Sequence, residues 1–147
     1  MISNFVDLNK EGTPAKRNET GVFKERIYGM SWDHDNESLQ VIYEYPITSS
    51  VLEYDDIICV NRYRCSDELI LLNGFGEAIT TVLAKDAFNN LKNFSLTEEE
   101  ILHAQIAYPD VCNDKFQGFY MVAGKNDYRV EFDLKTLKFG KVKRTRI

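Results

Sequence analysis

The sequence has few residues of the kinds that cross-link or anchor a small protein. Its 147 residues include three cysteines, three prolines and one tryptophan. An odd and small number of thiols argues against a disulfide-based secreted scaffold. No apolar run approaches the roughly 18–20 residues that span a bilayer, and the first residues lack the charged-then-apolar order of a secretory signal. We therefore expect a cytoplasmic protein.

The motifs that usually accompany a cofactor or a reaction are missing. The sequence contains no Gly-Lys-Ser/Thr phosphate loop, no Gly-x-Ser-x-Gly elbow and no Cys-x-x-Cys pair. The run from Asp33 to Glu44 has the acidic spacing of a calcium loop, but Ser38 stands where that loop needs glycine and the flanks are typical of strands. These observations predict no bound cofactor and no metal site.

Positive charge is scarce in most of the chain. The 23 acidic residues outnumber the 18 lysines and arginines, which gives a formal net charge of −5. Residues 135–147 hold six of these basic residues and no acid, so the negative charge is concentrated in residues 1–134. Binding to duplex nucleic acid depends on neutralising phosphates, which an acidic domain does poorly. An acidic body favours a basic protein partner.

Aromatic residues are abundant, with eight tyrosines and nine phenylalanines. Residues 1–20 are polar and show no sustained periodicity, which predicts a flexible arm ahead of a single domain over residues 21–147. Within that domain, runs rich in Val, Ile, Tyr and Phe are separated by turn residues. They predict a mostly antiparallel sheet of about eight strands. We expect an α+β domain.

Particular residues predict where the strands end. A polar turn over residues 33–38 separates the two strands of a hairpin, and Pro46 is expected to end the second strand or place it on an edge. The Asn-Gly pair at 73–74 predicts a tight turn, because both residues adopt positive φ readily. Residues 128–135 alternate apolar and charged side chains, and Gly140 predicts a bulge in the strand that follows.

The period changes in the middle of the chain. Apolar residues recur at helical spacing over residues 84–93, which predicts a short amphipathic helix. Thr97 and Glu100 have capping-box spacing and begin a second helix, which Pro109 is expected to end. The two helices are expected to pack side by side on one face of the sheet.

The aromatic excess and the negative charge together predict a protein-binding surface. Tyr and Trp are enriched at interfaces because they offer a large rigid contact area and a polar group. We expect a non-catalytic domain, an inhibitor or immunity-type protein that covers a basic surface of another protein. The predicted contact residues are Trp32, Asp33, Asp35 and Glu37 at the hairpin turn, with Arg62 and Arg64 on one face of a later strand.

A small enzyme is the first alternative. A catalytic thiol needs a nearby base or cation, and His103 with Cys112 would form such a pair. A carboxylate, Asp55 or Asp56, would complete the site. Helix histidines and small core thiols are ordinary in folded domains, so this hypothesis is not preferred.

Binding of single-stranded nucleic acid is the second alternative. Arg62 and Arg64 would share a sheet face with the basic residues of the C-terminal strand and contact phosphates. Lysines and arginines also protect edge strands from aggregation, which accounts for the same residues without a ligand. We therefore expect a protein partner, and neither a membrane nor a nucleic acid.

Overall fold

The computed structural model describes residues 1–88 and 95–145, and strands dominate this part of the chain. Its helical segments are short: 3-10 helices at Glu53–Asp55 and Ala84–Phe88, and one α-helix, α1, at Glu98–Leu102. No helix among these residues is both long and apolar enough to cross a membrane. The strands are β1 (Ser3–Leu8), β2 (Ile27–His34), β3 (Glu37–Leu52), β4 (Ile57–Arg62), β5 (Cys65–Asn73), β6 (Ala78–Leu83), β7 (Gln105–Cys112), β8 (Lys115–Ala123), β9 (Asn126–Asp133) and β10 (Lys138–Arg144).

The strands form two sheets in which sequence neighbours lie side by side. One sheet has the order β1-β2-β3-β4-β5-β6, and the other has the order β10-β9-β8-β7. The pairs β1–β2, β2–β3 and β3–β4, and all three pairs of the second sheet, are antiparallel. The prediction of a mostly antiparallel β fold is confirmed.

The chain folds into two compact units. The first consists of Met1–Arg64 and Ile70–Ile79, and the second consists of Cys65–Leu69 and Thr80–Ile147. Strands β5 and β6 contribute residues to both units. A single domain over residues 21–147 stays a prediction.

The N-terminal segment differs from the expected arm, because Ser3–Leu8 pairs with β2 as the edge strand β1. Ile2 and Leu8 are buried. The pairing register shifts between Ser3 and Val6, and Asn4 has a positive φ of 52°. This irregularity interrupts the period-2 alternation, which is why the sequence pattern did not reveal the strand.

Strand β3 continues through Pro46, so the expectation that it would end there or lie on an edge was wrong. Its first part pairs with β2 up to Ile42, and its last part pairs with β4 from Ile47 onward. The four residues 43–46 lie opposite Tyr28 alone, in a wide irregularity of the ladder. Proline has no N–H group to donate, and none is required here because residues 43–46 form no ladder pairs with β2.

The two predicted helices are only partly matched. Residues 84–88 form a 3-10 helix, and residues 89–93 lie outside the described part. The capping box of α1 is confirmed, since Glu100 N donates to Thr97 Oγ1 at 3.1 Å and Thr97 N donates to Glu100 Oε1 at 2.9 Å. The helix nevertheless ends at Leu102, and β7 follows.

Pro109 therefore lies inside a strand and does not end a helix. Strand β7 is at one edge of its sheet, which is where a proline without an N–H group is tolerated. Two other predictions for this region are confirmed. Tyr128, Val130 and Phe132 of β9 are buried in strict alternation, and the register of β10 shifts between Phe139 and Val142, around Gly140.

Each unit has its own apolar core. The second unit packs aromatic rings against one another, with Phe88 and Tyr128 centred 5.2 Å apart and Phe119 and Phe132 5.5 Å apart. Such contacts add to the free energy gained by burying the rings. The core of the first unit consists of Ile2, Met30, Trp32, Ile47, Ile58, Val60 and Leu72.

The close approach of β8 and β9 depends on Gly118. Its φ is +152°, and a Cβ atom there would overlap the carbonyl oxygen of Val130. We expect Gly118→Ala to lower the free energy of unfolding by roughly 2–5 kcal/mol, from backbone strain and overpacking together. Gly21→Ala is the matched control, because its φ is +85° but nothing lies within 4 Å of the added carbon.

The control is expected to cost about 1–2 kcal/mol, from strain alone. Urea unfolding of both variants measures the difference. Equal losses of unfolding free energy in the two variants would show that the close approach of β8 and β9 at Gly118 makes no additional contribution to stability.

Candidate functional site

The hairpin of β2 and β3 ends in a two-residue turn of Asp35 and Asn36. Both residues have positive φ, 49° and 66°, and His34 and Glu37 form the last strand pair. This is the geometry of a type I′ turn, which matches the twist of the flanking strands and favours Asp and Asn. The turn is tighter than the predicted span of residues 33–38, so Asp33 and Glu37 are held on regular strands.

Three carboxylates surround the end of this hairpin, which we call the acidic tip (Asp33, Asp35 and Glu37). Asp35 and Glu37 are exposed, and Asp33 is half-buried. With Met1 and other neighbours they line an open depression of about 570 Å³. The structure thus brings together three of the predicted contact residues.

Asp33 is fixed by two side-chain hydrogen bonds. Asn4 Nδ2 donates to Asp33 Oδ2 at 2.7 Å, and Ser38 Oγ donates to Asp33 Oδ1 at 2.9 Å. These bonds stabilise the ionised form and hold the pKa of Asp33 below its usual value. The carboxylate is therefore negatively charged at neutral pH and held in one orientation.

His34 lies under the acidic tip and is 7% exposed. Its ring packs edge-on against Phe75, with centroids 4.7 Å apart, and a Cβ atom on Gly74 would lie 2.5 Å from Nε2. Its ring nitrogens Nε2 and Nδ1 lie 3.5 Å from Asp35 Oδ2 and 3.7 Å from Asp56 Oδ1. No local sequence signal indicated this burial, because the residues that cover His34 come about 40 positions later in the chain.

Trp32 is a correction to the predicted contact surface. It is 1% exposed, so its side chain cannot contact a partner. Its indole Nε1 donates to the carbonyl oxygen of Gly74 at 2.7 Å, inside the core of the first unit. Alternation along β2 explains the error: Trp32 and His34 point inward, while Asp33 between them is only half-buried.

The turn after β5, in which Gly74 accepts the hydrogen bond from Trp32, differs in detail from the prediction. Positive φ occurs at Gly76, at 80°, and not at the Asn-Gly pair 73–74. The Asn73 side chain instead accepts hydrogen bonds from the backbone N–H groups of Phe75 and Glu77, at 2.9 and 3.0 Å. The asparagine shapes the turn through its side chain, and glycine supplies the left-handed residue.

Arg62 and Arg64 do not share a strand face, contrary to the prediction. Strand β4 ends at Arg62, and Arg64 lies in the turn before β5 with a φ of 61°. Arg62 belongs to the six-stranded sheet and β10 to the four-stranded one, and both arginines belong to the first compact unit, whereas β10 belongs to the second. They therefore do not form one sheet face with the basic C-terminal strand.

The two arginines instead make cation–π contacts with tyrosines, together with a third arginine that the sequence did not indicate. The Cζ atom of Arg62 lies 4.3 Å from the ring centroid of Tyr45. The corresponding distances to Tyr63 are 4.7 Å for Arg26 and 5.3 Å for Arg64. We call these five residues the Arg–Tyr patch. Arg26 reaches it because the next residue pairs with the last part of β3, a contact set by the sheet register.

The residues of the enzyme hypothesis do not converge. His103 follows α1 and Cys112 ends β7, so the length of a strand, roughly 25 Å, separates these two exposed residues. Asp55 is exposed, and Asp56 accepts the backbone N–H of Ile2 at 2.9 Å. Over the two described ranges, no group of three His, Cys, Asp or Glu side chains has the geometry to hold a metal ion.

Cys59 fits the interpretation of a small core thiol. It is buried and free, and burial raises the pKa of its thiol to about 12. A thiol of this kind is protonated at neutral pH and is a poor nucleophile.

Comparison with known proteins supports the architecture at the level of the fold. No protein-family model and no curated protein matches the chain. Among solved structures, the chain is similar to a chain from the structure of Tne2 in complex with Tni2, with a TM-score of 0.62 and 16% sequence identity. The similarity covers 99% of this chain and 100% of that one. At this identity it shows a shared fold.

The hydrogen bonds to Asp33 predict a measurable change in its pKa. We expect Asn4→Ala and Ser38→Ala each to raise the pKa of Asp33 toward its usual value, as followed by NMR of the carboxyl carbon. Thr48→Ala is the control, because that hydroxyl donates to Asn61 and not to Asp33.

The sign of the stability change follows from linkage. A lowered pKa stabilises the folded protein above the pKa of the unfolded chain, and this stabilisation is lost as the pH falls through the folded pKa. In Ser38→Ala the loss of stability should therefore be present at pH 7 and absent in strong acid, whereas Asn4→Ala adds a loss at every pH, because residue 4 has a φ of 52° that alanine disfavours. An unchanged Asp33 pKa in both variants would contradict this account.

Proposed function

We propose that the protein is a non-catalytic protein-binding domain, an inhibitor or immunity-type protein that covers a basic surface of its partner. The similar structure is of a complex between two proteins, which supports a protein partner. The observation that carries the proposal is the acidic tip, where three carboxylates lie around one open depression.

The acidic tip has the properties of a preformed contact surface. Asp35 and Asn36 hold a regular two-residue turn, and Asp33 is oriented by hydrogen bonds from Asn4 and Ser38. Side chains that are already ordered lose less conformational entropy when a partner binds. Lysines and arginines of a partner would meet the Asp33 carboxylate in a fixed orientation, beside the carboxylates of Asp35 and Glu37.

Charge also affects how fast a partner arrives. The formal net charge of −5 and the exposed carboxylates of the tip attract a basic surface over distances of about a Debye length. Electrostatic steering of this kind raises the association rate and gives a steep dependence on salt concentration.

We also propose that the protein acts in the cytoplasm and needs no cofactor. Cys59 and Cys112 are free thiols, which fits a reducing compartment. The proposed contacts use side chains of the chain itself, so no bond is made or broken in this function.

The experiment compares two charge variants in capture of the partner from a native lysate. Asp35→Asn with Glu37→Lys removes negative charge from the acidic tip, and asparagine keeps the preference for positive φ at the turn. Glu11→Gln with Glu19→Lys changes the net charge equally at two exposed residues elsewhere. We expect the wild-type protein to recover one protein in stoichiometric amount.

The purified partner then allows affinities to be measured. We expect the tip variant to bind about tenfold more weakly or worse, a loss of about 1.4 kcal/mol, with a smaller salt dependence. The control variant should bind like the wild type. Equal binding by both variants, or recovery of nucleic acid alone, would overturn the proposal.

A further inference from the structure

The Arg–Tyr patch gathers three positive charges in a small area of the first unit. Arg26 and Arg64 both lie over the ring of Tyr63, and Arg62 lies over Tyr45. The patch is held together through the backbone, since Tyr63 N donates to the carbonyl oxygen of Pro46 at 2.9 Å. This bond ties the turn after β4 to the residue next to Tyr45.

Within the described part of the chain, no carboxylate lies at ion-pair distance from these three arginines. The side-chain ion pairs found there are those of His34 with Asp35 and Asp56 and of Arg129 with Asp110. Two guanidinium groups that share one aromatic ring repel each other unless an anion lies nearby. A negatively charged group of another molecule would therefore lower the electrostatic energy of the Arg–Tyr patch by binding there.

The cation–π contacts leave the N–H groups of the three arginines available. A guanidinium group held over a ring by a cation–π contact keeps N–H groups at its edge that can still form hydrogen bonds. All three arginines are exposed. Their N–H groups can form the paired hydrogen bonds that a carboxylate accepts.

The same geometry argues against nucleic acid. Proteins that bind single strands offer free aromatic faces on which bases stack. Here the ring of Tyr63 is contacted by two arginines, and the ring of Tyr45 is contacted by Arg62 and by Tyr43, whose centroid is 5.6 Å away. Both rings are therefore already in contact with side chains of the chain itself, and both are half-buried.

We propose that the Arg–Tyr patch binds an acidic peptide segment through carboxylates that pair with Arg26, Arg62 and Arg64. The tyrosines orient the guanidinium groups, and the carboxylates supply the negative charge that the patch lacks. The Arg–Tyr patch would bind acidic groups, whereas the acidic tip would bind basic groups, so this inference goes beyond the proposed function. It does not depend on the identity of the protein that binds the tip.

The test uses a fluorescein-labelled hexaglutamate peptide with the full chain. Fluorescence anisotropy at low ionic strength measures the affinity, and NMR of the arginine Nε–Hε signals identifies the arginines that respond. We expect saturable binding that shifts the signals of Arg26, Arg62 and Arg64. A ten-residue oligothymidine is titrated in parallel.

Matched variants separate the patch from the overall charge. We expect Arg26→Gln, Arg62→Gln and Arg64→Gln together to weaken peptide binding about tenfold or more. Lys10→Gln, Lys24→Gln and Lys125→Gln remove the same charge from exposed lysines and should leave the affinity within about twofold. Circular dichroism checks that both triple variants are folded.

Variants of Tyr63 test the stacking while keeping every charge. Tyr63→Phe keeps the ring and should bind like the wild type, whereas Tyr63→Leu removes the ring and should bind about threefold more weakly or worse. No saturable peptide binding, equal losses in the two triple variants, or tighter binding of oligothymidine through the same arginines would overturn the proposal. None of these outcomes changes the expectation for the acidic tip, whose variants leave the patch intact.

Discussion

The contact between Trp32 and the turn after β5 organises the first unit. The buried indole donates a hydrogen bond to the carbonyl oxygen of Gly74, and its ring packs so closely on Gly76 that a Cβ atom there would lie 3.3 Å away. This contact fixes the turn beside β2, which places Phe75 against His34. The residues packed beneath the acidic tip thus come from segments about 40 positions apart in the chain, and close packing makes this part of the first unit rigid.

The sequence allowed good predictions where a strand follows a regular period or a turn has a specific residue requirement. The alternation in β9, the bulge at Gly140 and the capping box of α1 are of this kind. It failed where tertiary contacts override local preference. Strand β1 contains an irregularity at Asn4, and β3 passes through Pro46 because the ladder is interrupted there. Neither interruption has a local signature.

The sequence indicated the three carboxylates of the acidic tip and two of the three arginines of the Arg–Tyr patch, but not Arg26 or the two tyrosines. A binding role for any of these residues stays a prediction. The carboxylates of the tip are neighbours in sequence, so a hairpin turn alone brings them together. Arg26 joins Arg62 and Arg64 only through the pairing of three strands, which no spacing rule predicts. Trp32 was assigned to the surface because composition indicates that a tryptophan is useful at an interface but not which way it points.

Strand β3 has a consequence for how the acidic tip and the Arg–Tyr patch are connected along the chain. The register of its first part is set against β2, and the register of its last part is set mainly against β4, with the single pair Ile27–Ile47 on the β2 side. An inserted or deleted residue at positions 43–44 would fall where no pair with β2 is formed and before Pro46, whose carbonyl oxygen accepts a hydrogen bond from Tyr63 N. A change in length at this point therefore leaves the pairing of both ends of the strand in place.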